Sequence, residues 1–504
     1  MGVEIAGAIA FPGILNGRRD IYTSVMELTE ANVIDEVNSA LVFHLQNVAE
    51  ETYLYWYRRG LQPVLDRHKE RNSFILNKII ENHAAEIVTF KNGYFLMEDA
   101  CYVSRNADVK DKVDELNEFL YRSGKHVADN AVADWFHMVG KAALYVEPTG
   151  DKEVPIKAYA LDPRSAFVVY SLRPGNAPVF GVNVVIDNGK ALIDVYTKTT
   201  IFHLAGGAYG RETTAYPVYE YTASTLLGVE PNRLKHIPII EYRYNSVNTG
   251  SFEEVTYLLD AINNCQSNRM DGVEQFIQSI AIAVNCQFEE GTTADKIREA
   301  GMIALSSIGE NKADFRILSE ELNQQQTQIL VDNLLDQVIR ICCMPTRASH
   351  GRGTYDTTGQ AAIFNNGWEQ AASAARNTED LFKQSNRYFD EILIDVLKDM
   401  GLLQLKLIDF ELNFVRNETA NVQSKAQALY TLLSGGMNPV LAYAKSGISN
   451  DPVSDVRMSD KYITMIWGDP DAPVEEGAEV QGGKDNPAKK LEKNNGDWVS
   501  GYWR

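Results

Sequence analysis

The residues best placed to do chemistry are cations and glycines set close together in Pro345-Thr-Arg-Ala-Ser-His-Gly-Arg-Gly-Thr-Tyr-Asp356. Arg347 and Arg352 flank His350, Gly351 and Gly353 give the backbone freedom, and no acid intervenes before Asp356. Guanidinium groups on such a backbone suit oxyanions. Gly351-Arg-Gly353 resembles a fragment of a nucleotide phosphate loop, but the Lys-Ser/Thr pair that would engage β- and γ-phosphates and Mg²⁺ is missing. The loop is locally cationic and carries no phosphoryl-transfer machinery. Pairing of the two arginines with acids of a neighbouring subunit is the alternative.

Elsewhere the chemical signals are negative. The chain has no G-x-x-x-x-G-K-[ST], no G-x-G-x-x-G after a strand, no H-E-x-x-H and no G-x-S-x-G. Its eight histidines (44, 68, 83, 126, 137, 203, 236 and 350) have no metal-ligand partner at helical spacing and read as surface or hydrogen-bonded residues. Glu253-Glu254 and Glu289-Glu290 fall at helix starts or turns and read as solvated faces. The sequence thus predicts no catalytic residue, no metal, no cofactor and no ATPase. Five cysteines (101, 265, 286, 342 and 343) show neither a disulfide framework nor zinc spacing, and are expected reduced and mostly buried. The aromatic cluster Tyr53-Leu-Tyr-Trp-Tyr57 could stack bases. With few cations beside it, packing in the core or between subunits is the better reading.

Composition bounds the rest. A chain of 504 residues with 45% apolar content can bury a sizeable core, in two or more domains. A formal charge of −20 argues against a protein that coats nucleic acid, but does not exclude one that lets DNA slide past. No apolar run is long enough to cross a bilayer.

The cationic loop must be held by its flanking elements. Before it, a helix opens at Ser319 with Glu320 and Glu321 in its first turn, carries Leu322, Ile329, Leu330, Leu334, Val338 and Ile341, and stops at Pro345. After it, Ala361, Phe364, Trp368, Ala371, Ala375, Phe382, Phe389, Ile392 and Val396 step by three and four through a helix over 357–400, closed by Gly401. Such a rod spans roughly 65 Å, with a kink expected at Asn365-Asn366-Gly367. Its apolar surface suits an assembly.

Upstream, the periodicity predicts helices over about 20–58, 73–90, 109–121 and 129–142. An antiparallel meander follows: strands over 143–147, 156–161, 166–170, 179–186, 191–197, 216–221 and 236–242. Asp187-Asn188-Gly189 is its best hairpin turn. A helix over 251–280, strands near 283–288, 302–306 and 313–318 and a short helix near 294–300 make a stalk with a small α/β tip. A strand over 405–415 and helices near 419–434 and 439–446 come next. Residues 469–504 lack periodicity and read as a mobile tail.

The segments Tyr55-Trp-Tyr-Arg-Arg-Gly60, Asn72-Ser-Phe-Ile-Leu-Asn77, Ile80-Glu-Asn-His-Ala-Ala-Glu-Ile-Val88 and Asn92-Gly-Tyr94 follow one another in a familiar order. So do Leu161-Asp-Pro163, Val168-Val-Tyr170, Ile237-Pro-Ile-Ile-Glu-Tyr242, Phe252-Glu-Glu-Val and Leu259-Asp-Ala-Ile-Asn263. Together they resemble the portal proteins of tailed bacteriophages, specifically the SPP1-type group, over about residues 50–468.

The resemblance implies an α+β portal-like fold. Its parts would be a helical and antiparallel-β wing (1–245), a stem helix (246–281), a clip (282–318) and a second stem helix (319–344). A tunnel loop (345–356), a long spine helix with a returning wing strand (357–416), a helical crown (417–468) and the tail (469–504) would complete it. It implies a twelve-fold homo-oligomeric ring at one capsid vertex of the virion, assembled in the host bacterial cytoplasm. Double-stranded DNA would pass through the channel, packaged by a terminase and later ejected. Arg347, His350, Gly351, Arg352 and Gly353 would line that channel. Glu289, Glu290, Lys296, Arg298 and Glu299 in the clip would dock the terminase large subunit and the head–tail adaptor, with major capsid and scaffolding proteins as further partners and no membrane. Another non-catalytic connector or minor capsid protein, or a metal-dependent nuclease, are the alternatives.

Overall fold

The alternating sequence between Lys141 and Arg243 folds into two sheets, where a single meander was expected. The computed structural model describes residues 17–69, 75–212, 217–277, 280–284, 286–287, 306–307, 314–318, 324–345, 367–414, 422–448, 452 and 455–459. The larger sheet contains β1 (Ile21–Thr23), β5 (Ala166–Ser171), β6 (Pro178–Asp187), β7 (Lys190–Tyr196), β8 (Thr200–Glu212), β9 (Pro217–Tyr221) and β10 (Thr225–Pro231). Strands β5 to β8 run antiparallel in chain order, and β1 joins β5 in parallel, Ile21 opposite Val169. The hairpin expected at Asp187-Asn188-Gly189 is present. Asp187 pairs with Lys190, and Asn188 and Gly189 both take positive φ (48° and 77°), as a two-residue turn matched to strand twist requires. The smaller sheet has β3 (Lys141–Pro148) between β4 (Ile156–Leu161) and β11 (Ile239–Arg243).

Helix α1 (Val33–Arg58) lays Val33, Val37, Ala40 and Leu41 on the larger sheet, against a core that includes Val182, Ile193 and Phe202. The helix expected from residue 20 begins only at Val33. The chain first forms β1, then a turn in which Asn32 Oδ1 accepts from the Thr29 amide (2.7 Å). Helix α2 is His83–Phe95, not 73–90. Within 75–82 the backbone is extended, because its amides bond to side chains of a later helix, described below. Strand β2 (Cys101–Ser104) precedes α3 (Lys110–Arg122) and α4 (Lys125–Val139). Helix α4 is bracketed by Gly124 and Gly140, both left-handed, so Ala142 belongs to the strand and not to the helix. Strands β2, β8 and β10 had no counterpart among the expected elements.

Gly140 has φ 92°, and a Cβ there would sit 2.1 Å from the Asn248 carbonyl oxygen. Gly140→Ala should therefore cost more than about 2 kcal/mol, read as a lower denaturation midpoint. A loss under about 0.5 kcal/mol would show that the 245–250 turn yields without penalty.

Helices α5 (Thr256–Ile277) and α6 (Gln324–Ile341) follow, with two short ladders between them. Helix α7 (Trp368–Asp399) comes next, at 1.5 Å per residue about 48 Å long. Gly367, φ 80°, starts it at the place where a kink was expected, and residues 357–366 lie outside the described residues. Its stripe, Phe382, Phe389, Ile392 and Val396, is buried against α4, β3 and β11. Over this part of the rod the chain's own smaller sheet and α4 supply the cover that another subunit was expected to give, while Ala361 and Phe364 of the expected stripe lie outside the described residues. Strand β16 (Phe410–Asn413) pairs with β2, and α8 (Val422–Ser434) and α9 (Pro439–Ser446) follow. The expected tail at 469–504 lies outside the described residues.

Candidate functional site

Helices α5 and α6 share one core with the ends of α1 and α2. Leu259, Ile262, Val331, Val338 and Cys342 pack there with Leu54, Tyr57, Ala84, Ile87 and Val88. Tyr57 from the aromatic cluster is fully buried and donates to Asp260 (2.8 Å), so its role is packing, as expected. Arg269 reaches Gln328 (2.5 Å) across the helix pair.

At one end, α5 runs into β12 (Ile280–Val284), which pairs antiparallel with β15 (Asp314–Leu318), Ile280 opposite Leu318. Strand β13 (Cys286–Gln287) then pairs with β14 (Ser306–Ser307). The chain thus leaves α5 and returns to α6 through one narrow neck. Glu289, Glu290, Lys296, Arg298 and Glu299 fall on the segment that the neck closes, outside the described residues, as does the helix expected at 294–300.

At the other end, α6 finishes on Cys343, left-handed with φ 51°, and the Met344 amide donates back to the Ile339 carbonyl (2.9 Å). Gln370 in the first turn of α7 donates to Cys343 Sγ (3.6 Å). Trp368 packs on Phe90 and Tyr94 of α2, ring centroids 6.3 and 5.8 Å apart. Both anchors of the glycine- and arginine-bearing segment are therefore pinned side by side. Arg347, His350, Gly351, Arg352 and Gly353 themselves lie outside the described residues.

Sequence reasoning missed how α5 is clamped. The extended segment 75–82 lies along it, and the amides of Asn77, Ile79 and Glu81 donate to Asp271 (2.7 Å), Ser267 (2.9 Å) and Asn263 (2.8 Å). Four helical residues advance about 6 Å and two extended residues about 6.6 Å, so the two repeats keep step. Burial pushes the Asp271 carboxyl up, but bonds from Lys69, Asn77 and Arg67 outweigh it and hold it below the usual range. The polar spacing 263, 267, 271 was the available signal.

The titratable groups serve structure. Burial pushes His44 and His137 down to about 3; His44 Nε2 lies 3.1 Å from the Arg164 carbonyl. His203 and His236 contact Asp194 (2.7 Å) and Asp395 (2.8 Å). Among the described residues no group of three His, Cys, Asp or Glu side chains could hold a metal, and no helix is long and apolar enough to cross a membrane. The cysteines are less buried than expected. Cys342 is buried, but Cys101, Cys265 and Cys343 are half-buried; Cys101, for one, alternates with the inward Tyr102 on β2.

No curated protein matches the sequence. A family model described as phage portal protein, SPP1 Gp6-like matches residues 46–448, from within α1 to just past the end of α9.

Proposed function

The chain belongs to the SPP1 Gp6-like family of phage portal proteins, and from that premise we propose that it forms a closed ring at one capsid vertex, through which double-stranded DNA is packaged and later ejected. In this reading α5 and α6 are the stem, the neck carries the clip, α7 is the spine, the sheets form the wing, and α8 and α9 belong to the crown.

One observation carries the reading. The outer faces of the paired helices leave Tyr257, Met270, Val273, Ile329, Leu330 and Ile341 exposed, although their inner faces are fully used in the chain's own core. Apolar side chains on both faces of a helix pair call for a second protein surface. Neighbouring copies related by rotation supply it and close a ring. The expected apolar stripe of α6 thus divides: Val338 faces inward, whereas Ile329, Leu330 and Ile341 face the neighbour.

Within such a ring the acidic charge keeps DNA from adhering, since each phosphate contact made by Lys or Arg would have to be broken as the duplex advances. Arg347 and Arg352 then offer weak, salt-screened contacts at the narrowest point. The clip residues Glu289, Glu290, Lys296, Arg298 and Glu299 offer the docking surface for the terminase large subunit and later the adaptor. Major capsid and scaffolding proteins meet the wing side.

The test uses purified full-length protein. Negative-stain images should show rings with a central hole, near ~700 kDa if twelve chains of 56.3 kDa assemble. Replacing Arg347 and Arg352 with Ala should leave the rings intact and alter the amount of DNA packaged. Replacing both with Glu should reduce packaging further. A monodisperse monomer at micromolar concentration sinks the portal reading. Unstable rings in the Ala variant would instead assign the arginines to contacts between subunits.

A further inference from the structure

Glu51, in the second half of α1, is only 2% exposed, and its Oε2 atom is buried with no hydrogen-bond partner among the described residues. It lines a cavity of about 10 Å³, room for one water, walled also by Arg19, His44, Asn47, Lys141 and Glu241. The cavity lies where the approach to β1, helix α1, β5 of the larger sheet and β3 and β11 of the smaller sheet come together.

We propose that this cavity is a binding site for a single internal water, held by Glu51 Oε2 at the junction of α1 with both sheets. A carboxyl oxygen taken out of solvent without a partner forfeits its hydrogen bonds, and one bound water restores them. The cations nearby are already engaged. Arg19 pairs with Glu50 (2.9 Å), Lys141 with Asp20 (2.7 Å) and Glu241 (3.3 Å), and Arg164 with Asp162 (2.6 Å). Burial, ahead of any neighbouring charge, pushes the Glu51 carboxyl up to about 8. Below that pH it carries a proton and offers a donor as well as an acceptor. The lining decides the ligand. Two cations, Arg19 and Lys141, and two carboxyls, Glu51 and Glu241, border the same space, so an ion of either sign meets groups of its own sign. A neutral molecule that both donates and accepts suits all four, and the space admits nothing larger than water. His44 and Phe167, stacked with ring centroids 4.0 Å apart, line it too and limit exchange with bulk solvent. None of this rests on the portal reading.

The test is a crystal structure of the full-length protein at about 2 Å or better. A water should lie within about 3.2 Å of Glu51 Oε2 and of a second polar atom of the lining. Glu51→Gln keeps a donor and an acceptor at this position and should keep the water. Glu51→Met, of similar length but apolar, should lose it, and oxygen-17 relaxation dispersion should count one long-lived water fewer in solution. If Glu51→Met does not fold, the wild-type and Glu51→Gln structures decide the matter. No water at Oε2, a metal cation in the cavity, or a Glu51 carboxyl bonded directly to Lys141 or Arg19 would each overturn the proposal. So would a Glu51→Gln protein without the water or a Glu51→Met protein that keeps it.

Discussion

Replacing Arg18 with methionine should lower the unfolding free energy by about 3–5 kcal/mol, the largest single-site loss expected in this protein. The Arg18 side chain is completely buried between two carboxylates: Nη2 donates to Glu253 Oε1 (2.5 Å) and Nε lies 3.2 Å from Glu50 Oε2. Glu253 is itself fully buried, and Glu50 is nearly so and, among the described residues, gains one further cation, Arg19 at 2.9 Å. Methionine would fill the volume but leave two carboxylates facing each other in a dry site. Burial already pushes the Glu50 carboxyl up, and losing Arg18 would push it further in the same direction. The contact ties the entry to β1, the middle of α1 and the turn that opens α5. Arg18→Met combined with Glu253→Gln should recover part of the loss, because it removes the stranded charge as well as the pair. Urea denaturation of both variants reads the effect, and a single-variant loss below about 1 kcal/mol would sink this account.

The second large effect is a fall in stability as pH rises through neutrality. Burial pushes the Asp390 carboxyl up to about 7 and the Glu51 carboxyl up to about 8. Asp390 accepts from Tyr102 and from Asn386 (3.0 Å), which also takes the Tyr242 hydroxyl (3.1 Å), inside the core that seats α7. Both carboxyls keep a proton in the fold that the unfolded chain releases above pH ~4.5, so their contribution to stability declines up to pH 7 and 8 respectively. His44 and His137, held at about 3, act in the opposite sense: the unfolded chain takes up protons below pH ~6.5 that the fold refuses. Between about pH 4.5 and 6.5 the two pairs cancel. From about pH 6.5 to 8 only the carboxyls act, and stability should fall by about 2–3 kcal/mol. Asp129, raised by burial despite Lys125 beside it, adds in the same sense. Asp390→Asn with Glu51→Gln should flatten the profile. A wild-type stability that is level or rising between pH 6.5 and 8.5 would contradict these assignments.

Much of this protein was legible in its sequence. Strands β3, β5, β6 and β7 and the Asp187–Lys190 hairpin followed from period-two patterning and one turn signal, because both are local properties of the chain. The helix–ladder–helix order around 256–341 followed for the same reason, and the ordered segments from Tyr55 to Asn263 pointed to the family whose model matches residues 46–448. Absence of a phosphate loop and of ligand spacing was equally readable, since both are defined by spacing along the chain.

What tertiary structure decided is where each pattern spends its surface. The apolar residues 75–80 have helical spacing, yet they stay extended because Asn263, Ser267 and Asp271, almost 190 residues later, take their amides. The stripe of α7 read as an exposed rod; β3, β11 and α4 cover it, and the uncovered apolar surface lies instead on the outer faces of α5 and α6. The division of one strand-rich region into two sheets depends on β11 choosing β3 as its partner, nearly 100 residues away. Arg18, Glu51 and Asp390 look like ordinary surface residues in a chain that is 23% charged. Only burial separates them from the rest, because the cost of desolvating a charge depends on what surrounds it in space, and neighbours along the chain do not reveal that.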